Sequence, residues 1–210
     1  MEVYGEKPQK FTAKWWGYVW DYYKWHIVCV LFIIFTLVTT LHQCATRPNY
    51  DLKITAVTEQ NLVISQTDAI TEMANNIISD ATGNGVVEAF CMPICMNDQS
   101  DAQTIQAGYA KFTVEVSMPE AYVFIMSKVF ADKVEEGGFL ESTDIWADGN
   151  ADECFVSLKD NEKLSALGID TKDLYLGVVK LFDDKKDDEV EKARYKNGVL
   201  FARHLLGLEG

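Results

Sequence analysis

Histidine is scarce: His26, His42 and His204 are the only three in 210 residues. No HExxH sequence and no His–carboxylate cluster accompanies them, so a zinc hydrolase or a Ser–His–Asp enzyme has little to be built from. The phosphate-cradling pattern GxxxxGKS/T is missing too. The glycine-rich triplet Gly83-Asn84-Gly85 follows an expected helix and precedes an expected strand, which is the wrong end for a dinucleotide loop. These absences lead us to expect neither an enzyme nor a cofactor. Basic residues are also few, 19 Lys and Arg against 32 Asp and Glu, for a net charge of −13. Residues 1–50 hold five basic and three acidic residues, a net of +2, which leaves −15 on residues 51–210. So acidic a region lacks the footprint of a nucleic-acid binder and is repelled by anionic headgroups.

What is present begins with residues 27–41, IVCVLFIIFTLVTTL, which carry no charge and whose polar groups are Thr36, Thr39 and Thr40. Eleven Leu, Ile, Phe and Val residues there favour membrane insertion by roughly 3 to 6 kcal/mol, with no charged residue to offset it. Flanking residues extend the expected transmembrane helix to 25–44, roughly 30 Å at about 1.5 Å per residue. Residues 11–25 contain Trp15, Trp16, Trp20 and Trp25 with Tyr18, Tyr22 and Tyr23, an interfacial collar whose rings are apolar and whose N–H and O–H groups stay wet.

Lys7, Lys10, Lys14 and Lys24 precede the apolar run, whereas Arg47 and Lys53 follow it. The positive-inside rule then puts residues 1–24 in the cytoplasm, and the acidic region 51–210 outside the cell after a linker at 45–50. A cleaved signal peptide is the rival reading. It is disfavoured by the long basic segment before the run and by Gln43 near the candidate exit. Cys44 raises a lipidated alternative, but His42 and Gln43 stand where small residues are wanted.

Beyond Pro48 the pattern alternates between strand and helix signals. Leu52, Ile54 and Ala56 alternate with Lys53 and Thr55, a strand. Behind Ser65 and Asp68, the residues Ile70, Met73, Ala74, Ile77, Ile78 and Ala81 make one apolar helix face, ended by the Gly83–Gly85 turn. VVEAFCMPIC reads as a strand covered on both sides. Ser100 and Asp101 are cap candidates for a helix carrying Ile105, Tyr109, Phe112 and Val116. AYVFIMS reads as a buried strand, and Ser127 as the cap of a short helix stopped by Gly137 and Gly138. CFVSL, NEKLSAL and LYLGVVKLF follow as a strand, a short helix and a long strand. DDKKDDEVEKAR reads as a solvated loop or helix face, and Asn197 as the cap of a last helix presenting Leu200, Phe201, His204 and Leu205. The alternation implies a single α/β domain with a mainly parallel sheet.

Residues 107–143, AGYAKFTVEVSMPEAYVFIMSKVFADKVEEGGFLEST, carry a resemblance. A helix with an apolar face, an acidic turn, the strand YVFIMS, a helix ending in Gly-Gly and a Phe-Leu with an acidic tail resemble one lobe of the extracytoplasmic solute-binding proteins of Gram-positive bacteria. They are more closely similar to small, uncharacterised single-pass membrane proteins that carry one such lobe. The resemblance spans roughly residues 50–145 and implies a Rossmann-like lobe on the outer face of a bacterial membrane.

Candidate chemistry is thin. Four extended residues between Cys91 and Cys95 span about 13 Å, too far for a mutual disulfide. The two are expected as core thiols, with a link from one of them to Cys154 as the alternative. Asp80, Thr82 and Asn84, and likewise Asp148, Asn150 and Asp152, fall at calcium-loop positions 1, 3 and 5. Cys91 and Lys159, however, stand where a bidentate Glu is required. Because open α/β sheets bind ligands beyond the carboxyl ends of their strands, Thr58, Glu59, Asn97, Asp98 and Ser127 are the candidate ligand-binding residues. The expected partners are the lipid bilayer, through the N-terminal helix, and a protein or a small molecule, with no nucleic acid. The expected function is membrane-anchored interaction or sensing without catalysis, and the alternative is a reduced solute-binding lobe.

Overall fold

The computed structural model describes residues 10–45, 49–97, 101–117 and 120–208 and divides into two units, Met1–Pro48 and Asn49–Gly210. The first is one helix, α1 (Ala13–Ala45), 33 residues long. It is continuous through the aromatic segment, so it starts twelve residues before the expected span. Its stretch Tyr23–Leu41 is long and apolar enough to cross a membrane and is exposed along its length. The threonines within it need no water. Thr36 Oγ1 donates to the Phe32 carbonyl at 2.8 Å, Thr39 Oγ1 to that of Phe35 at 3.0 Å and Thr40 Oγ1 to that of Thr36 at 2.8 Å. Each hydroxyl is satisfied within the helix.

The second unit is built on a five-stranded sheet in the order β2-β1-β3-β5-β4, formed by β1 (Leu52–Thr58), β2 (Ala89–Cys95), β3 (Val123–Ser127), β4 (Phe155–Ser157) and β5 (Leu174–Val178). Pairing of β1 with β2 and with β3 is parallel, and β5 runs antiparallel to both β3 and β4. Four of the five strands therefore point the same way. Helix α2 (Ile64–Asn75) joins β1 to β2, and α3 (Ala102–Ser117) joins β2 to β3. The chain thus moves one way from β1 and then crosses back to its other side. After β3 come α4 (Lys128–Glu136) and the single turn α5 (Thr143–Trp146). Residues 158–173, which carry α6 (Glu162–Ala166), return the chain beside β4, a connection that needs no crossover because β4 and β5 are antiparallel neighbours. A 3₁₀ turn (Asp183–Lys185) leads into α7 (Glu189–Leu206).

Several sequence expectations are corrected. The run around β2 is an edge strand rather than a fully covered one: Ala89, Cys91 and Ile94 are buried while Phe90 and Pro93 face out. Proline lacks the N–H that a second neighbour would require. The helix after β1 ends at Asn75, short of Ala81. Asn75 Oδ1 accepts from the Ala89 N–H at 2.6 Å, and residues 79–88 form a loop tied to Asp51. The strand expected across LYLGVVKLF covers only Leu174–Val178. The last helix begins eight residues ahead of Asn197, where Asp188 Oδ1 accepts from the Val190 N–H at 2.8 Å. Asn197 is an interior residue of that helix. On α3, Asp101 is the cap, accepting from the N–H groups of Gln103 and Thr104 at 3.0 and 2.9 Å, whereas Ser100 lies outside the described residues.

The core takes both faces of β1 and β3. Leu52, Ile54, Val57, Phe124 and Met126 are fully buried with Phe201 and Trp146. The glycine at position 198 lets α7 approach β3 closely: a Cβ there would stand 2.9 Å from Tyr122 Cβ. Lys53 is partly buried beside them. Its ammonium meets Glu115 at 2.9 Å and Glu120 at 3.1 Å, and although burial lowers its pKa the two carboxylates outweigh that and raise it. This pair ties α3 to the sheet.

Candidate functional site at the carboxyl ends of the parallel strands

The residues that follow β1, β2 and β3 converge. Ser127 ends β3 and is almost fully buried; its Oγ accepts from the Glu59 N–H at 3.3 Å, bridging the ends of β1 and β3. The hydroxyl is therefore turned to its neighbour strand and does not cap α4, which corrects the expected role of Ser127. Asn97 Nδ2 donates to the Glu59 carbonyl at 3.0 Å, while the Met96 N–H donates to the Thr58 carbonyl at 3.0 Å, closing β2 onto β1. Thr58 is buried and its Oγ1 donates to the Gln60 carbonyl at 2.7 Å, so its hydroxyl belongs to the turn. Asp98 lies outside the described residues.

Further residues complete this end of the sheet. Gln60 Nε2 donates to the Asp170 carbonyl at 2.7 Å and Gln60 Oε1 accepts from the Asp170 N–H at 3.1 Å. The Lys128 N–H donates to the Asp173 carbonyl at 3.2 Å. Glu59, Gln60, Ser127, Asp170, Lys172, Asp173 and Leu174 line a cleft of about 140 Å³. The residues from 170 to 174 arrive because β5 is antiparallel, which sets its beginning beside the end of β3; strand alternation alone carried no such signal. Among the described residues no base is hydrogen-bonded to the Ser127 hydroxyl, and the polar groups gathered here mostly satisfy one another.

The two calcium-like loops hold themselves. Asp80 Oδ1 accepts from the Gly83 N–H at 2.6 Å and from Thr82 Oγ1 at 3.2 Å, and Oδ2 from the Gly85 N–H at 2.8 Å. Led by the bond from Gly85, these donors lower the Asp80 pKa. Its oxygens are committed to its own turn. Asp148 faces Arg203 at 3.3 Å, and Asn150 offers its carbonyl to Thr143 Oγ1 at 2.9 Å.

The described cysteines Cys29, Cys91, Cys95 and Cys154 are free. Burial pushes the Cys91 thiol up to about 12, and it raises those of Cys95 and Cys154. Cys154 precedes β4 at one edge of the sheet, and Cys91 and Cys95 lie on β2 at the other.

No protein-family model, no curated protein and no solved structure matches this chain.

Proposed function

We propose that the protein is a single-pass membrane protein whose acidic α/β domain stands outside the cell and acts in interaction or sensing, without catalysis. The observation that carries the reading is the Tyr23–Leu41 stretch of α1, an exposed apolar surface that spans a bilayer by length. The four lysines before it and the −15 charge after it support a cytoplasmic N-terminus. Reversal of strand order between β1 and β3 supports a Rossmann-like lobe, in keeping with the resemblance to a solute-binding lobe. A reduced lobe capturing a solute on its own is the weaker reading, because the cleft at the strand ends, about 140 Å³, is smaller than the roughly 300–1,000 Å³ of typical ligand sites.

The test is a membrane-impermeant protease added to intact cells. Digestion of the acidic domain with survival of a small N-terminal fragment is the expected result. Protection of the domain until the membrane is opened overturns the orientation and the surface role together.

A further inference from the structure

At the β4 edge the sheet carries a second cavity, about 300 Å³, lined by Glu135, Glu153, Cys154, Phe155, Ser157 and Tyr175. Phe155 and Tyr175 stand edge to face, with centroids 5.3 Å apart and planes at 81°. Their π faces already hold a cation, since Lys128 Nζ sits 4.6 Å from the Phe155 centroid and 5.2 Å from that of Tyr175. The carboxylates Glu135 and Glu153 stand beside these rings. Glu135 also belongs to the last turn of α4, where the helix dipole adds partial negative charge. The same Lys128 ammonium also pairs with Asp132, at 2.7 Å.

From this cavity, its aromatic wall and its carboxylates we propose a binding site for an organic ammonium group. The rings supply cation–π attraction, the carboxylates long-range attraction, and the apolar wall accepts the alkyl part. Nonpolar ligands gain only the last of these, and anions are repelled. The ammonium can come from a free quaternary amine or from a lysine side chain on a partner. The site does not depend on which side of the membrane the domain occupies.

Ligand-observed NMR on the full chain in maltoside micelles tests it with three probes: choline, N-acetyl-lysine amide, and 3,3-dimethyl-1-butanol as the neutral isostere of choline. Saturable binding of at least one cation, with a Kd on the order of millimolar, is expected, and the neutral isostere should bind more weakly. Preference for choline identifies a free amine as the source, and preference for the lysine derivative a protein partner. The paired change Glu135→Gln and Glu153→Gln should weaken binding about tenfold, and Lys128→Met, which removes the competing cation, should tighten it about two- to fivefold. Because Glu135 and Glu153 are exposed and Lys128 is only partly covered, the variants keep the core intact, which a thermal melt verifies. Absence of saturation by either cation, equal binding of the neutral isostere, or indifference to the paired Gln change overturns the proposal.

Discussion

Asn197, in the middle of α7, donates from Nδ2 to the main-chain carbonyl of Asp51 at 3.2 Å, joining the last helix to the first residue ahead of β1. The same amide donates to the Ser79 carbonyl at 2.8 Å and accepts at Oδ1 from the Ser79 N–H at 3.1 Å and Oγ at 3.2 Å. Asp51 in turn receives the N–H groups of Ala81, Thr82 and Glu88 at 2.8 to 2.9 Å. One side chain thus closes three segments that are distant in sequence. Asn197→Ala leaves buried backbone groups unpaired and should cost about 2–4 kcal/mol, read as a lowered urea midpoint. A loss below the error of that measurement would mean that water replaces the amide.

Thr55 is the opposite case. It lies fully buried in β1, and its Oγ1 has no hydrogen-bond partner among the described residues. Thr55→Val keeps the shape and removes the orphaned hydroxyl. Stability should rise by about 1 kcal/mol. A fall in the unfolding midpoint would show that the hydroxyl is bonded in solution.

The contrast between these two residues shows what a one-dimensional pattern conveys. The strand at Val123–Ser127 and the helix at Lys128–Glu136 were visible because local periodicity and flanking glycines determine them. Among the site candidates, Glu59, Asn97 and Ser127 do converge, since they follow three parallel strands whose ends must lie together. Asp170, Lys172 and Asp173 were invisible, because their arrival depends on the antiparallel direction of β5, a property of the connection at 158–173, whereas Gln60 simply follows Glu59 out of β1. Asn197 was misread for a similar reason. Asparagine is a common helix cap, and only tertiary contacts reveal that this one satisfies a loop more than a hundred residues away.

Most of the outer edge of β2 is sealed by side chains. On an edge strand alternate N–H groups point away from the ladder, here those of residues 89, 91, 93 and 95, of which the first three are closed. Asn75 Oδ1 takes the first at 2.6 Å, Thr71 Oγ1 the second at 3.2 Å, and Pro93 has none to offer. Such edges resist pairing with other chains. Thr71→Val should destabilise by about 1–3 kcal/mol, and Pro93→Ala should promote self-association, visible by sedimentation velocity. A Pro93→Ala protein that sediments like the parent at every concentration would remove proline from the seal.

Stability should fall at both ends of the pH scale through one network. Glu191 is raised by burial, but hydrogen bonds from Tyr122 at 2.7 Å, Arg194 at 2.6 Å and Lys185 outweigh this and lower its pKa below the ordinary 4.5. Its contribution is present above pH 4.5 and is lost as pH falls through the depressed value. Tyr122 and Tyr195 are raised above 10, first by burial and then by Glu191 and Glu141 respectively, with Tyr195 pushed up to about 12. Their contribution is full below pH 10 and declines above it as the unfolded phenols ionise. Glu191→Gln should flatten the acid limb of a stability profile and Tyr122→Phe the alkaline limb. Unchanged limbs in both variants would place the dependence elsewhere.

The thiols should resist cross-linking within the domain. From β2 to β4 the sheet takes four inter-strand steps of about 4.8 Å, roughly 19 Å in all, against the ~7 Å of Cα separation that a disulfide tolerates. Cys154 therefore cannot reach Cys91 or Cys95 without dismantling the sheet, and those two are held apart along one extended strand. Reactivity should be graded as well. Burial holds Cys91 at about 12, so its thiolate is vanishingly rare near neutrality, while Cys95 and Cys154 are only partly covered. After mild oxidation of the folded protein, peptide mapping should find no bridge among the three, and iodoacetamide should modify Cys95 and Cys154 before Cys91. A Cys154 bridge to either β2 cysteine in protein that still melts cooperatively would be incompatible with the strand order β2-β1-β3-β5-β4.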